Sequence, residues 1–109
     1  MLADEGLIAI AEDTTGALVG FTEISIRNDY VEGSSTNPVP YLEGWYVSAK
    51  LRGQGVGKKL LEFAEQWSRS AGFTQIASDA YIDNTVSIAA HKAIGFREAG
   101  RAVHFLKDL

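Results

Sequence analysis

The chain has 109 residues, with 10 basic against 14 acidic side chains, a formal net charge of −4, no cysteine and only two histidines. Disulfides, thiol nucleophiles and cysteine- or histidine-rich metal sites are thereby excluded or disfavoured, and the negative balance argues against general nucleic-acid binding while favouring a small cationic substrate. The length suits a single domain, 1–109; the longest aliphatic run, residues 7–11, is far short of a membrane span and no basic-then-apolar leader opens the chain, so a cytoplasmic protein is expected.

Residues 7–11 read as a strand closed by the turn cluster 12–16. Residues 18–26 follow as a second strand, with Leu18, Thr22, Ile24 and Ile26 on one face and Val19 and Phe21 on the other, completing a hairpin. Residues 28–40 form a polar loop that holds both prolines and carries Asp29, Tyr30 and Glu32. A loop this long in a small domain is either a solvated connection or a functional one. Residues 41–47 read as the third strand. The two-residue period puts Tyr41, Glu43, Trp45 and Val47 on one face, so Glu43 lies among large apolar side chains. A carboxylate there is either solvent-facing at a strand edge or a working group with a raised pKa.

Residues 47–61 then give a strand end, a tight turn and the start of an amphipathic helix. Gly53, Gly55 and Gly57 alternate through the turn and leave backbone N–H groups open to close approach. Lys50, Arg52, Lys58 and Lys59 supply four basic residues with no acid among them, although the first turn of a helix ordinarily prefers acids. A bound anion, a phosphate above all, accounts for that pattern; a plain strand-to-helix turn with solvated lysines is the other reading. The spacing is neither G-x-G-x-x-G nor a P-loop.

The helix buries Val56, Leu60, Ala64, Trp67 and Ala71 at helical spacing and stops at Gly72. Residues 73–79 read as a fourth strand, parallel to the third because a helix connects them. Asp79 stands at its C-terminal end, where ligands of open α/β sheets bind. Asp83 or Asn84 caps a second helix ended by Gly95, and residues 96–99 and 101–106 read as two closing strands. The expected fold is α/β (α+β), in the order β-β-β-α-β-α-β-β: a mixed, mostly antiparallel sheet with a central parallel pair and flanking helices.

With these pieces placed, the chain resembles the GCN5-related N-acetyltransferases (GNAT). The signature [RQ]-x-x-G-x-[GA] is matched by Arg52-Gly53-Gln54-Gly55-Val56-Gly57, and a second pattern by Asn84, Ser87, Gly95 and Phe96, with His91 where many members have tyrosine. Two patterns in the right order are more specific than either alone. Residues 25–31, 41–47 and 77–79 are similar to the aminoglycoside 6′-N-acetyltransferases, in which the positions of Tyr30, Glu43 and Asp79 line the antibiotic site. Two departures bear on the acceptor side. The family opens with a strand and helices that this chain lacks, and Gly100 stands where relatives often carry an acid.

The resemblance implies acetyl-CoA as donor, no metal, and direct attack of an amine on the thioester. Backbone N–H groups across Gln54, Gly55, Val56, Gly57 and Lys58 are expected to hold the CoA pyrophosphate, with Arg52, Gly53 and Asn84 also among the expected cofactor-binding residues. The third and fourth strands are expected to splay around the pantetheine arm, which pairs with backbone around Tyr46 and Val47, the Val47 N–H acting as oxyanion donor. Glu43, then Asp79, is the expected proton acceptor; both, with Asp29 and Tyr30, are expected to bind the cationic acceptor. His91 either protonates the departing thiolate or packs under the sheet. A homodimer is expected because the absent opening segment leaves apolar sheet surface uncovered. The alternatives are a GNAT enzyme for a polyamine or peptide, and a shortened, non-catalytic acyl-CoA-binding module.

Overall fold

In the computed structural model, which describes residues 6–109, the two opening runs form an antiparallel hairpin of β1 (Leu7–Glu12) and β2 (Leu18–Arg27). Asp13 closes the turn between them. Its Oδ1 accepts from the amides of Thr15 (2.8 Å) and Ala17 (3.0 Å) and from the Thr15 hydroxyl. β3 (Val39–Val47) pairs antiparallel with β2, α1 (Val56–Ser70) crosses over, and β4 (Ala77–Ser78) returns parallel to β3, giving the sheet order β1-β2-β3-β4. The mixed sheet with its one parallel pair is the expected architecture.

The alternation expected for the third strand is interrupted. Leu42 pairs with Ile24 and Gly44 with Glu23, the very next residue, so Glu43 is an extra residue in β3. Such a bulge shifts the side-chain phase by one. Tyr41 and Glu43 therefore lie on one face of the sheet, while Trp45 and Val47 turn to the other and meet α1, where Trp45 Nε1 donates to the Gly57 carbonyl (3.0 Å). The expectation that all four share an apolar face is corrected by that one residue.

The core sits between α1 and the sheet. Ile24, Leu42, Leu60, Leu61 and Ala64 are buried, as is Thr22, and each large apolar side chain removed from water contributes about 1.5–3 kcal/mol. The helix ends where Gly72 N–H returns to the Arg69 carbonyl (3.0 Å) and Phe73 N–H to that of Ser68 (3.0 Å).

Only residues 77 and 78 of the expected fourth strand are paired. Just before them, Gln75 uses its side-chain carbonyl to bind the long loop, accepting from the Ser35 amide (2.9 Å) and hydroxyl (3.1 Å).

The chain divides into a first unit ending at Asp79 and a second from Ala80 to Leu109. The second unit holds α2 (Thr85–Ala93), capped by Asn84, whose side chain accepts from the Ser87 amide (3.1 Å). Neither closing strand forms. Residues 97–109 have no regular structure, and Val103, Phe105 and Leu106 are exposed. Their alternating composition has β propensity, but a strand is stabilised by its neighbours and not by composition alone. Among the described residues no helix is long and apolar enough to cross a membrane.

Candidate active site

The glycine turn folds as expected and presents its main chain. A 3-10 turn (Ala49–Leu51) leads into Gly53 and Gly55, at φ +81° and +85°, a left-handed conformation that side chains with a Cβ adopt only at a cost. Gly55 caps α1 without any side-chain hydrogen bond, and there is no acid in the first turn. The first amide to reach back is that of Lys59, to the Gly55 carbonyl (3.0 Å). The N–H groups of Val56, Gly57 and Lys58 thus stand at the open helix terminus. One expected donor is corrected: the Gln54 amide already donates to the Leu51 carbonyl (3.3 Å). Gly57 is small for another reason, since a Cβ there would lie 3.3 Å from Trp45 Nε1 and 3.4 Å from Val47 Cγ2. Its lack of a side chain lets the helix terminus press against the end of β3.

Beside that terminus, β3 has an open edge. Its ladder with β4 stops at Leu42 and Ser78, so the parallel strands part at Glu43 and Asp79. The Ser48 amide donates to the Val19 carbonyl (2.8 Å), which makes Val19 and Ser48 a hydrogen-bonded pair. By the alternation of antiparallel ladders, Val47 opposite Gly20 is non-hydrogen-bonded and turns its N–H and C=O away from β2. Its carbonyl is met there by Arg52 Nε (3.0 Å), so Arg52 ties the turn to the strand; its guanidinium carbon lies 5.9 Å from the Tyr46 ring centroid. The same alternation turns the Tyr46 backbone towards Phe21 on β2, which removes it from the expected pantetheine contacts.

The carboxylates come together through residues not expected to form the site. Arg27, the last residue of β2, grips Glu43 with both arms of its fork, Nε to Oε2 (3.0 Å) and a terminal nitrogen to Oε1 (2.8 Å), and the Ser25 hydroxyl donates to the same carboxylate. The Arg27 guanidinium also lies 3.5 Å from the centre of the Tyr41 ring, and Tyr41 Oη donates to Asp79 Oδ2 (2.5 Å). Ser25, Arg27, Tyr41, Glu43 and Asp79 so form one network where β3 and β4 part. Arg27 holds the Glu43 carboxyl below its ordinary pKa, against a smaller opposing effect of burial, with Ser25 assisting. A raised pKa, one of the two alternatives for Glu43, is thereby corrected. Burial first, and then the bond to Asp79, push the Tyr41 hydroxyl up to about 12. The signal for Arg27 lies in the pairing: it shares a strand face with Ser25, and the register that sets Ser25 opposite Tyr41 and Arg27 opposite Val39 puts both on the face of Tyr41 and Glu43.

Asp29 and Tyr30 stand exposed in the loop after β2, where Tyr30 Oη donates to Glu32 (2.5 Å); the network does not include them. Asn84 and His91 belong to the second unit. Asn84 spends its side-chain oxygen on the helix cap. His91 Nδ1 is 2.7 Å from the Ser87 carbonyl and the ring meets Phe96 edge-on with centroids 5.1 Å apart. A carbonyl only accepts, so Nδ1 carries the proton and a neutral ring has none to give from Nε2. Among the described residues no group of three His, Cys, Asp or Glu could hold a metal ion.

The profile of the Acetyltransferase (GNAT) family matches residues 1–96. An aminoglycoside N(6')-acetyltransferase type 1 from Stenotrophomonas maltophilia is 45% identical over 99% of this chain and 71% of its own length. Another, from Klebsiella aerogenes, is 46% identical over 94% of this chain and 66% of its own length. The chain thus spans about two thirds to seven tenths of the length of these relatives. Among solved structures, AAC(6')-Iy in complex with the bisubstrate analogue CoA-S-monomethyl-acetylneamine is similar at a TM-score of 0.89 and 37% identity, covering 97% of this chain and 71% of that one.

Proposed function

The chain belongs to the GNAT acetyltransferase family, and we propose that it moves an acetyl group from acetyl-CoA to the 6′-amine of an aminoglycoside by direct attack in a ternary complex. What carries the reading is a coincidence at the end of β3. The open N-terminus of α1, the outward Val47 N–H and the carboxylates Glu43 and Asp79 all adjoin the place where two parallel strands part. Relatives whose names and complexes specify aminoglycosides and CoA support it.

In this reading the amides of Val56, Gly57 and Lys58, with Gly53 and Gly55 shaping the turn, bind the pyrophosphate. The pantetheine arm runs along the open edge of β3, and the Val47 N–H donates to the thioester oxygen as it becomes an oxyanion. The acceptor arrives as an ammonium and must lose a proton before attack. Asp79, directly or through one water, takes that proton; Glu43 contributes to acceptor binding, and Asp29 and Tyr30 contact the acceptor from the loop. The nitrogen lone pair forms the new C–N bond, the C–S bond breaks, and the departing thiolate takes a proton from water. Arg52 braces the turn and Asn84 starts α2.

We also place the protein in the cytoplasm, where acetyl-CoA is made and used, acting on a small cationic amine and not on nucleic acid. The exposed Ile8, Ile10, Leu18 and Phe63 favour a homodimer. One observation favours a second acceptor class: Arg27 neutralises Glu43 and lowers the negative charge available to a polycation, which suits a polyamine or peptide amine with fewer charges. Thiol release from acetyl-CoA with kanamycin or tobramycin, set against spermidine and a peptide, tests both. Release with none of them overturns the enzymatic reading.

A further inference from the structure

We infer that Arg27 is a positioning residue for acetyl transfer: it holds Glu43 as a neutralised carboxylate and leaves Asp79 as the carboxylate that receives the acceptor's ammonium. The inference rests on the acetyl-transfer reading and adds the division of labour between the two acids.

Geometry carries it. Arg27 makes two parallel hydrogen bonds to Glu43 (3.0 and 2.8 Å), the bidentate arrangement in which guanidinium and carboxylate charges cancel most completely. The same guanidinium covers the Tyr41 ring at 3.5 Å, and that ring carries the hydroxyl that fixes Asp79. Arg27 thereby reaches both acids, one through its fork and the other through the ring it lies on. The charged and titratable groups around Glu43 are Arg27 and Glu23 on β2, Tyr41 on β3 and Asp79 after β4. Within the network of Arg27, Glu43 and Asp79, the charges sum to one negative unit. That matches the single ammonium to be deprotonated, and it falls to Asp79 because Glu43 already has its cation. A carboxylate held in a fork is a weak base, since proton transfer follows basicity.

The consequence separates this assignment from one in which Glu43 is the base. Replacing Glu43 by glutamine uncovers the Arg27 cation beside the incoming ammonium, and like charges in a partly desolvated site repel strongly. Glu43→Gln should raise KM for a cationic acceptor by about tenfold or more. The double variant Arg27→Gln/Glu43→Gln, with the cation gone, should recover most of that loss. Arg27→Gln alone should leave Glu43 an unpaired anion, lowering KM for the acceptor and raising the titration midpoint of the Glu43 carboxyl. Arg27→Lys, which keeps the charge without the fork, should fall between wild type and Arg27→Gln in that titration.

The experiment is steady-state kinetics on the full chain with kanamycin and acetyl-CoA, carboxyl NMR titration of Glu43, and a thermal melt of each variant. Recovery in the double variant together with an upward NMR shift in Arg27→Gln supports the inference. A double variant no faster than Glu43→Gln, in a protein whose wild type turns over, overturns it and returns the base role to Glu43. A Glu43 titration that does not move in Arg27→Gln or Arg27→Lys overturns it independently of activity. A wild type that releases no thiol with any amine defeats the acetyl-transfer reading instead, and the NMR titration still judges the pair.

Discussion

Replacing Gly55 by valine isolates the contribution of the glycine turn. Gly55 has φ +85° and a Cβ built on it would touch nothing within 4 Å, so the penalty is conformational and not steric crowding. Holding an L-residue in the left-handed region costs about 1–2 kcal/mol, and a β-branched one sits at the upper end or beyond. In a domain of this size each kcal/mol lowers Tm by about 4–8 °C, so the variant should melt roughly 5–15 °C below wild type yet remain folded at room temperature. If the turn escapes the strain by rotating its peptides, the amides of Val56 and Gly57 lose their aim. A hydrogen bond to a charged group is worth about 1.5–3 kcal/mol, so losing one weakens CoA binding by a factor of about 10–100. Calorimetric titration of CoA into folded Gly55→Val protein reads this directly. A dissociation constant within about twofold of wild type, each tenfold being about 1.4 kcal/mol, would refute the assignment of these amides to the pyrophosphate.

Gly57→Ala puts a Cβ 3.3 Å from Trp45 Nε1 and should cost about 1–3 kcal/mol by overpacking, read as a lower urea midpoint. Thr22 is fully buried and, among the described residues, its hydroxyl has no partner. Thr22→Val should therefore be neutral or stabilising by up to about 1–2 kcal/mol in the same assay; marked destabilisation would mean the hydroxyl is bonded. Tyr41, with a folded pKa of about 12 against an ordinary 10.0, contributes stability that is full below pH 10 and lost as pH rises through 12. Ultraviolet titration should show one of the four tyrosines ionising last, and Tyr41→Phe should remove that phase. Glu43 is shifted the other way, below its ordinary 4.5, so the ion-pair contribution is full above about that pH and disappears as pH falls through the lower folded value. With both partners about one third exposed, it amounts to no more than about 1 kcal/mol. Acid unfolding of Glu43→Gln should lack that part of the pH dependence.

β1, β2, α1 and the glycine turn are legible because each carries a local signal strong enough to decide it, alternation in the strands, helical spacing in α1 and glycine spacing in the turn, whereas the expected fourth strand 73–79 pairs only at residues 77 and 78. The bulge at Glu43 is not legible, because an extra residue changes the phase of a strand only relative to its partner, and register is a property of two segments. That is why alternation alone leaves Tyr41 and Glu43 on one face with Trp45 and Val47 and gives Arg27 no partner. The two closing strands failed for a related reason. Residues 101–106 alternate convincingly, but a ladder needs a neighbour, and the stretch remains exposed. Residue type and position leave both Asp83 and Asn84 open as the cap of α2; the bond from the Ser87 amide to the Asn84 side chain decides for Asn84.

In the proposed reading, the bulge lets one strand serve both substrates. In an unbroken β3 the side chains of residues 41, 43, 45 and 47 would share a face, and Glu43 would compete for space with Trp45 and Val47 against α1. The extra residue lets Trp45 and Val47 seat the helix terminus while Tyr41 and Glu43 turn to the opposite face with Arg27 and Asp79. It also falls where the β4 ladder stops, so the phase change and the opening of the edge coincide. In the proposed reading, a donor lying along that edge would have its phosphates at the helix and its thioester near Val47, with Tyr41 and Glu43 on the opposite face of the strand. In that reading the amine and the acetyl group would be brought together at the gap, as direct attack requires. Deleting Glu43 should leave Leu42 opposite Ile24, Gly44 opposite Glu23 and Trp45 opposite Thr22 in a regular ladder, so Trp45 should keep its seat on α1 and CoA affinity should survive, as it should in Glu43→Gln; a large loss of CoA binding in the deletion variant would refute this register.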